Sequence, residues 1–472
     1  LHQPTFLRAQ ARLIECLQSE GFGNGVATTL AQTWMTQDDF LLSPLHGRFD
    51  VIVGNPPYVR QERIPQALLA AYKQRFTTLY DRADLYVLFF ERCLDLLRQN
   101  GVLGFICANR WVKNKYGGPL RAKIAKGFNL DYYIDMEQVD AFQKQVHAYP
   151  AVTVIRRSVS TKTAVVTRAN GTKLEAVFKA LRSRRWRECP QVTSVHNVAS
   201  GRDPWLVDAP EIIDTIRQLE RNFPTLKQAG VNVGIGVATG ADKVYIGNYD
   251  ELPVEMSRRL KLAVSADLTP NGLVWTGKGL VNPWEQGGQL ASLEKYPQFA
   301  NYLTKHARLL KKRHTAKKSP RAWYKTIDRV YPSLTSTPKL LIPDIKGAAT
   351  VVFDAGHYYP HHNLYVITSD TWDLQALQAF LKSSIALTFV AAYCVRMAGG
   401  FLRFQAQYLR RIRVPMWQEL TASQRRSLLS VANSTDQDAI DEVVFSILEL
   451  PLAAVKKIRA FAQAARVGKK RA

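Results

Sequence analysis

Along the first 160 residues short apolar runs alternate with stretches of helical spacing. Phe49-Asp50-Val51-Ile52-Val53-Gly54 is almost continuously apolar and is closed by Gly and Pro, which predicts a strand buried on both faces of a parallel sheet. Asp84 to Leu97 carries Leu85, Leu88, Phe89, Cys93 and Leu96 on one face, with Asp84 placed to cap it, so a helix is predicted there. Asn100-Gly101 ends that helix, and Val102 to Ala108 reads as a second buried strand. Asn129 to Met136 and Ala151 to Ile155 are two more strands on either side of a polar loop. The alternation predicts a doubly wound α/β domain over residues 1–160.

Beyond Arg156 the pattern changes. A linker is expected at 161–200. Short strands bounded by Gly and Pro, such as Val231 to Val237, Val244 to Ile246 and Lys339 to Ile342, then predict a mixed α+β domain over 201–415. Helical periodicity returns at Leu374 to Leu387 and from Thr421 onward, so 416–472 is expected as a helical, basic end.

Charge sharpens this picture. The 472 residues hold 64 Lys and Arg against 39 Asp and Glu, a formal charge of +25, and residues 301–330 carry ten of the cations and one acid, Asp328. Such an excess implies a polyanionic partner. Nucleic acid is favoured over membrane, because no apolar stretch approaches the length of a bilayer-spanning helix. At 46% hydrophobic the chain is globular rather than disordered or fibrous. The five cysteines are scattered without a C-x-x-C pair and no signal-peptide pattern opens the chain, which fits a reducing, cytoplasmic setting without a zinc knuckle.

The sharpest motif is Asn55-Pro56-Pro57-Tyr58, directly after the first strand. Asn-Pro is a common turn, yet this tetrapeptide arises by chance in only about one chain in a thousand of this length. It also falls at the carboxyl end of a strand, where open α/β sheets hold their ligands. Each proline lacks an N–H, fixes its own φ and pushes the preceding residue out of the helical region, so Asn55 and the Pro56 carbonyl form a stiff rim of two acceptors. Two such acceptors suit a planar amino group, whose lone pair is otherwise delocalised into its ring. Holding both hydrogens favours a pyramidal nitrogen and frees the lone pair for attack. Tyr58 adds an aromatic face for stacking.

At these residues the sequence resembles the adenine-specific DNA methyltransferases in which the cofactor motifs come first and a target-recognition domain follows. The resemblance implies a Rossmann-like fold, S-adenosylmethionine as methyl donor, double-stranded DNA as partner and an adenine flipped out of the duplex. It also assigns residues. Asp39-Phe40 matches the segment that binds the cofactor's adenine, Phe89 matches the aromatic that packs on it, and Phe142 matches a second aromatic that sandwiches the flipped base against Tyr58. A second resemblance, to the specificity domain of TaqI-type and type IIG methyltransferases, runs through Val233 to Gly240, Lys339 to Ile345, Tyr358 to Tyr365 and Gly399 to Phe404. Lys311, Lys312, Arg313 and Arg403 are the expected DNA contacts. Restriction–modification or another anti-phage defence is the implied setting.

The Gly-rich loop that holds the methionine part of the cofactor in this family is not found. Glu20-Gly21-Phe22-Gly23-Asn24-Gly25 follows a helical stretch and reads as a helix end. The chain is therefore expected to start inside the cofactor half of the domain, with an upstream segment or subunit supplying the missing motif and offering a place for a nuclease. A DNA-recognition module without methylation of its own is the rival reading, and protein glutamine methylation a second one. Pro343-Asp344-Ile345-Lys346 lacks the following acid-x-Lys of a nuclease. His357, His361 and His362 lack four-ligand spacing, so no metal is expected.

Overall fold

In the computed structural model, which describes residues 2–138, 150–158, 164–170, 174–183, 189, 192–346, 350–394 and 402–466, the strand before Asn55 is Phe49–Gly54 (β1). It pairs in parallel with Leu97–Ala108 (β2). β2 pairs antiparallel with Pro150–Arg156 (β4), and β4 antiparallel with Asn129–Gln138 (β3). β3 then pairs in parallel with Ala164–Asn170 (β5), and β5 antiparallel with Val192–Val195 (β6). The sheet is therefore mixed, in the order β1-β2-β4-β3-β5-β6.

Two expectations are corrected by this sheet. β1 is not buried on both faces: Val51 and Val53 are 64% and 76% exposed, so among the described residues nothing covers the face they share, and β1, paired with β2 alone, is also the sheet edge. Residues 161–200 are not a linker, since β5, the helix Leu174–Arg182 and β6 lie within them. A few apolar side chains suffice to hold this addition: Val177, Cys189 and Val192 pack with Tyr132 of β3. The chain divides instead into two units, Leu1–Val207 and Asp208–Ala472.

In the first unit Gln3–Ser19 (α1) and Asn24–Trp34 (α2) are joined by the Gly-rich segment, and Gly21 at φ 93° ends α1 as a helix terminator. Gln66–Arg75 (α3) and Tyr86–Leu96 (α4) follow β1. The core lies between α4 and β2. Tyr86, Val87, Leu88, Phe90 and Leu94 are fully buried, and Phe90 meets Phe105 edge-on at 4.9 Å and Trp111 at 5.1 Å. Asp84 does not cap α4 with its side chain, because the helix starts two residues later with Leu85 at the cap position; the Asp84 carbonyl instead accepts the Val87 N–H. β2 also begins earlier than expected. It passes through Asn100 at φ 63°, a left-handed conformation that Asn tolerates.

Among its described residues the second unit holds two four-stranded sheets. One is antiparallel, in the order Val352–Asp354, Lys339–Pro343, Leu364–Ser369, Val231–Ile235. The other runs Tyr359–Pro360, Arg259–Ala263, Lys278–Val281, Ile246–Asn248. Helices Leu374–Lys382 and Ser384–Tyr393 are largely buried beside the C-terminal helices Gln437–Ile447 and Leu452–Arg466. Among the described residues no single helix is long and apolar enough to cross a membrane.

Candidate active site

β1 delivers Asn55-Pro56-Pro57-Tyr58 to the carboxyl end of the parallel pair it forms with β2. Gly54 allows the close fit there: a Cβ on it would stand 3.1 Å from Cε1 of Phe105. Asn55 is exposed, and among the described residues its side-chain amide has no hydrogen-bond partner. Pro56 is buried and Pro57 exposed. Neither has an N–H, so neither competes for the Asn55 oxygen. The Val59 N–H donates to the Pro57 carbonyl at 3.1 Å, and the Val59 carbonyl accepts the Leu85 N–H at 2.8 Å, which ties the motif to the start of α4.

Tyr58 is half-buried, with its ring 6.3 Å from that of Tyr86 and tilted by 51°. The Tyr86 and Tyr116 hydroxyls are hydrogen-bonded at 2.8 Å. Burial, and then the neighbouring Cys107 thiol, pushes the Tyr58 phenol well above its ordinary value. It is thus neutral at physiological pH and offers a ring face rather than a base.

The expected cofactor residues meet beside this motif. Phe40 and Phe89 are stacked at 5.3 Å with planes 20° apart. Phe89 is half-exposed whereas Tyr86, Val87, Leu88 and Phe90 around it are buried, so it stands at the rim of α4. Asp39 accepts the Leu41 N–H on Oδ1 at 2.9 Å and the Tyr72 hydroxyl on Oδ2 at 2.7 Å. Phe40, Phe89, Val59 and Leu85 all pack on one cluster with buried Leu41, Ile64, Tyr72, Phe76 and Leu88. Segments 39–40, 58–59 and 85–89, far apart in sequence, therefore share one core. Half-exposed aromatic faces beside a carboxylate with lone pairs to spare fit the adenosine half of S-adenosylmethionine.

Three neighbours carried no recognisable signal in the sequence. Tyr72 and Tyr86 stand in no motif. Asp84 was a cap; it is half-buried, and burial raises its carboxyl above its ordinary value against the pull of Arg110 and Arg60. Phe142 lies outside the described residues.

The expected DNA contacts divide into two kinds. Lys311 and Lys312 are exposed, with the Lys311 ammonium 5.2 Å over the Trp323 ring. Arg313 is engaged with the fold, donating to the carbonyls of Leu310 and Thr239, both at 3.1 Å, and of Trp323 and Lys325, both at 2.9 Å. Arg403 is ion-paired with Asp344, whose carbonyl also accepts the Phe404 N–H at 2.8 Å.

Comparison with known proteins bears on both halves. The family model described as Eco57I restriction-modification methylase matches residues 12–142, and the TaqI-like C-terminal specificity domain matches residues 292–414. Type II methyltransferase M.XhoI of Xanthomonas vasicola is 47% identical over 95% of this chain and 84% of its own length. M.PaeR7I of Pseudomonas aeruginosa is 47% identical over 95% of this chain and 79% of its own. M.BstVI of Geobacillus stearothermophilus is 37% identical over 95% and 82%. Among solved structures, the type IIL restriction-modification enzyme MmeI in complex with DNA shares the fold at a TM-score of 0.58 and 13% identity; the match covers 88% of this chain and 57% of that one.

Proposed function

Since the chain belongs to the type II methyltransferases of restriction–modification systems, whose cofactor is S-adenosylmethionine, we propose that it methylates the exocyclic amino group of an adenine flipped out of duplex DNA. The observation that carries this reading is the exposed Asn55 amide at the end of β1, without a hydrogen-bond partner among the described residues, backed by two prolines and flanked by the half-buried, neutral phenol of Tyr58.

Bound S-adenosylmethionine supplies an electrophilic methyl group. The chain's own residues do the rest by positioning and electrostatics. Asn55 Oδ1 and the Pro56 carbonyl accept the two amino hydrogens and restore the nitrogen lone pair, so no strong base is required before attack. Tyr58 stacks on one face of the base and Phe142 on the other. Asp39, oriented by Tyr72, accepts from the adenine amine of the cofactor, while Phe40 and Phe89 cover its ring. Lys311 and Lys312 neutralise phosphates, Arg313 holds the backbone beside them, and Arg403, paired with Asp344, stands at the other expected contact point. The product marks the host's own DNA within a system that acts against incoming phage DNA.

The test is methyl transfer from labelled cofactor to unmethylated duplex DNA by the intact enzyme, with the nucleosides analysed by mass spectrometry. N6-methyladenine is the expected product. Asn55→Ala should lower the rate by about 10²–10³-fold or more, as loss of a preorganised polar group at the reacting atom does. DNA affinity should change little. A methylated cytosine as product, or equal loss of binding and turnover in Asn55→Ala, overturns the reading.

A further inference from the structure

Asp242, His361 and His362, none of which has a part in the reaction above, converge within the second unit. Asp242 opens the short helix Asp242–Tyr245, just after a turn at Gly240 with φ 72°. The two histidines follow the strand Tyr359–Pro360. Three backbone hydrogen bonds fix these segments. Val237 N–H donates to the Pro360 carbonyl, His362 N–H to the Val237 carbonyl and His361 N–H to the Ala263 carbonyl, each at 3.0 Å. There is no slack between them, since a Cβ on Gly236 would fall 2.2 Å from the His361 carbonyl oxygen.

The side chains on this frame have the geometry of a ligand set. One donor atom from each of the three lies within 4.8 Å of the others. Nε2 of His361 stands 3.5 Å from Oδ2 of Asp242. Two donors bound to one tetrahedral zinc ion, with bonds of about 2.0–2.1 Å, stand roughly 3.3–3.4 Å apart, so this pair already has almost the required separation. The other Asp242 oxygen accepts the Thr239 hydroxyl, which itself accepts the Ala241 N–H at 3.0 Å. Such an outer hydrogen bond turns a ligating carboxylate toward its ion.

A second observation is independent of these distances. His361 is only 8% exposed, and among the described residues neither of its ring nitrogens has a hydrogen bond. Buried polar nitrogens left unmet are uncommon, because each loses its water and gains nothing in return. A metal ion on Nε2 removes half of that deficit.

We propose that Asp242, His361 and His362 bind a divalent cation of the zinc class, which clamps loop 236–242 to turn 360–363 in the second unit. Two imidazoles and one carboxylate suit Zn²⁺, or Co²⁺ and Ni²⁺, and not Mg²⁺ or Ca²⁺, which take oxygen ligands. The sequence hid the site because its third ligand lies far upstream of the two adjacent histidines. An ion pair between a protonated His361 and Asp242 is the competing account, and it requires no metal.

The experiment strips the full-length protein with chelator and titrates it with Zn²⁺, Co²⁺ or Mg²⁺. Uptake of one zinc or cobalt ion per chain is expected, with a visible Co²⁺ spectrum of low-coordinate type and a higher melting temperature, and no response to Mg²⁺. His361 is buried, so its own replacement risks misfolding. The exposed His362 carries the test: His362→Ala should lose the Co²⁺ spectrum and the zinc-dependent shift while melting as the metal-free protein does. Failure to take up either ion, or equal uptake by the Asp242→Ala/His362→Ala double variant, overturns the proposal.

Discussion

The Tyr72 hydroxyl donates to Oδ2 of Asp39 at 2.7 Å, and burial, reinforced by that bond, keeps the proton on the phenol. With Oδ1 held by the Leu41 N–H at 2.9 Å, the carboxylate has one orientation. Tyr72→Phe keeps the ring that meets Phe76 edge-on at 6.5 Å and deletes only the donor. A hydrogen bond to a half-exposed group is worth about 0.5–1.5 kcal/mol net. The KM for S-adenosylmethionine should therefore rise roughly 2- to 10-fold with kcat held. Calorimetric titration of the cofactor checks this. If neither Tyr72→Phe nor Asp39→Ala weakens the cofactor, Asp39 has no part in binding it.

Tyr58 separates stacking from proton chemistry. Tyr58→Phe keeps the face and should retain kcat/KM within about threefold, whereas Tyr58→Ala should lose about 1–3 kcal/mol of base stacking, roughly 5- to 150-fold. Burial raises the phenol in the folded state, so the unfolded chain loses its proton first as pH rises. The stability from this group is intact below the ordinary tyrosine value of about 10 and decays above it. Between pH 6 and 9, about the range where the phenol keeps its proton, Tyr58→Phe should follow the wild-type rate profile. In circular dichroism its alkaline unfolding should begin at higher pH. A wild-type inflection that vanishes in Tyr58→Phe would make the phenol a titrating participant.

Much of the first unit could be read from its residues because local pattern sets it. The apolar run closed by Gly and Pro marks β1, the strands read at Asn129 and Ala151 match β3 and β4 to within two residues, and the helical stripe marks α4, whereas β2 starts at Leu97, ahead of the Asn100-Gly101 pair read as a helix end. The edge position of β1 could not be read this way: an apolar strand looks the same whether or not something covers it. The same limit hides the partners of the site. Asp39 and Phe89 belong to short motifs, but Tyr72 gains meaning only when α3 and α4 pack on Leu41, and Asp84 only when burial places it between Arg110 and Arg60. In Lys311-Lys312-Arg313 the residues carry the same charge, and only tertiary structure turns the third one inward.

That division gives a salt-dependence test. Each phosphate contact contributes a slope of about −0.9 to the logarithmic dependence of DNA affinity on salt. Lys311→Ala and Lys312→Ala should each flatten the slope by roughly that amount and leave folding unchanged. Arg313→Ala should act differently. It removes the side-chain donor from the carbonyls of Trp323 and Lys325, and a second donor from those of Leu310 and Thr239, which keep the Arg313 and Ile327 N–H groups, and should cost about 1–3 kcal/mol of stability. Arg313→Lys should recover little, because an ammonium cannot reproduce the guanidinium fork. Unchanged slopes in both lysine variants would move the DNA-binding face elsewhere.

Lys339 and Asp354 form a 2.7 Å ion pair whose side chains are 0% and 1% exposed. The ammonium also donates to the Thr335 and Thr337 carbonyls, at 3.1 and 2.8 Å, while Asp354 accepts the N–H groups of Gly356, His357 and Tyr358 at 2.9–3.2 Å. Burial lowers the Lys339 value and the Asp354 partner opposes it. Lys339→Met leaves a carboxylate without its counter-ion and should destabilise by about 3–5 kcal/mol in urea unfolding. Asp354→Asn leaves the ammonium unpaired and should cost a similar amount. The double variant Lys339→Met/Asp354→Asn should lose less than the sum, because no charge is left stranded and the Asn oxygen still accepts from the turn at Gly356. Strict additivity of the two single losses would mean that the pair is uncoupled and that the lysine acts only through the Thr335 and Thr337 carbonyls.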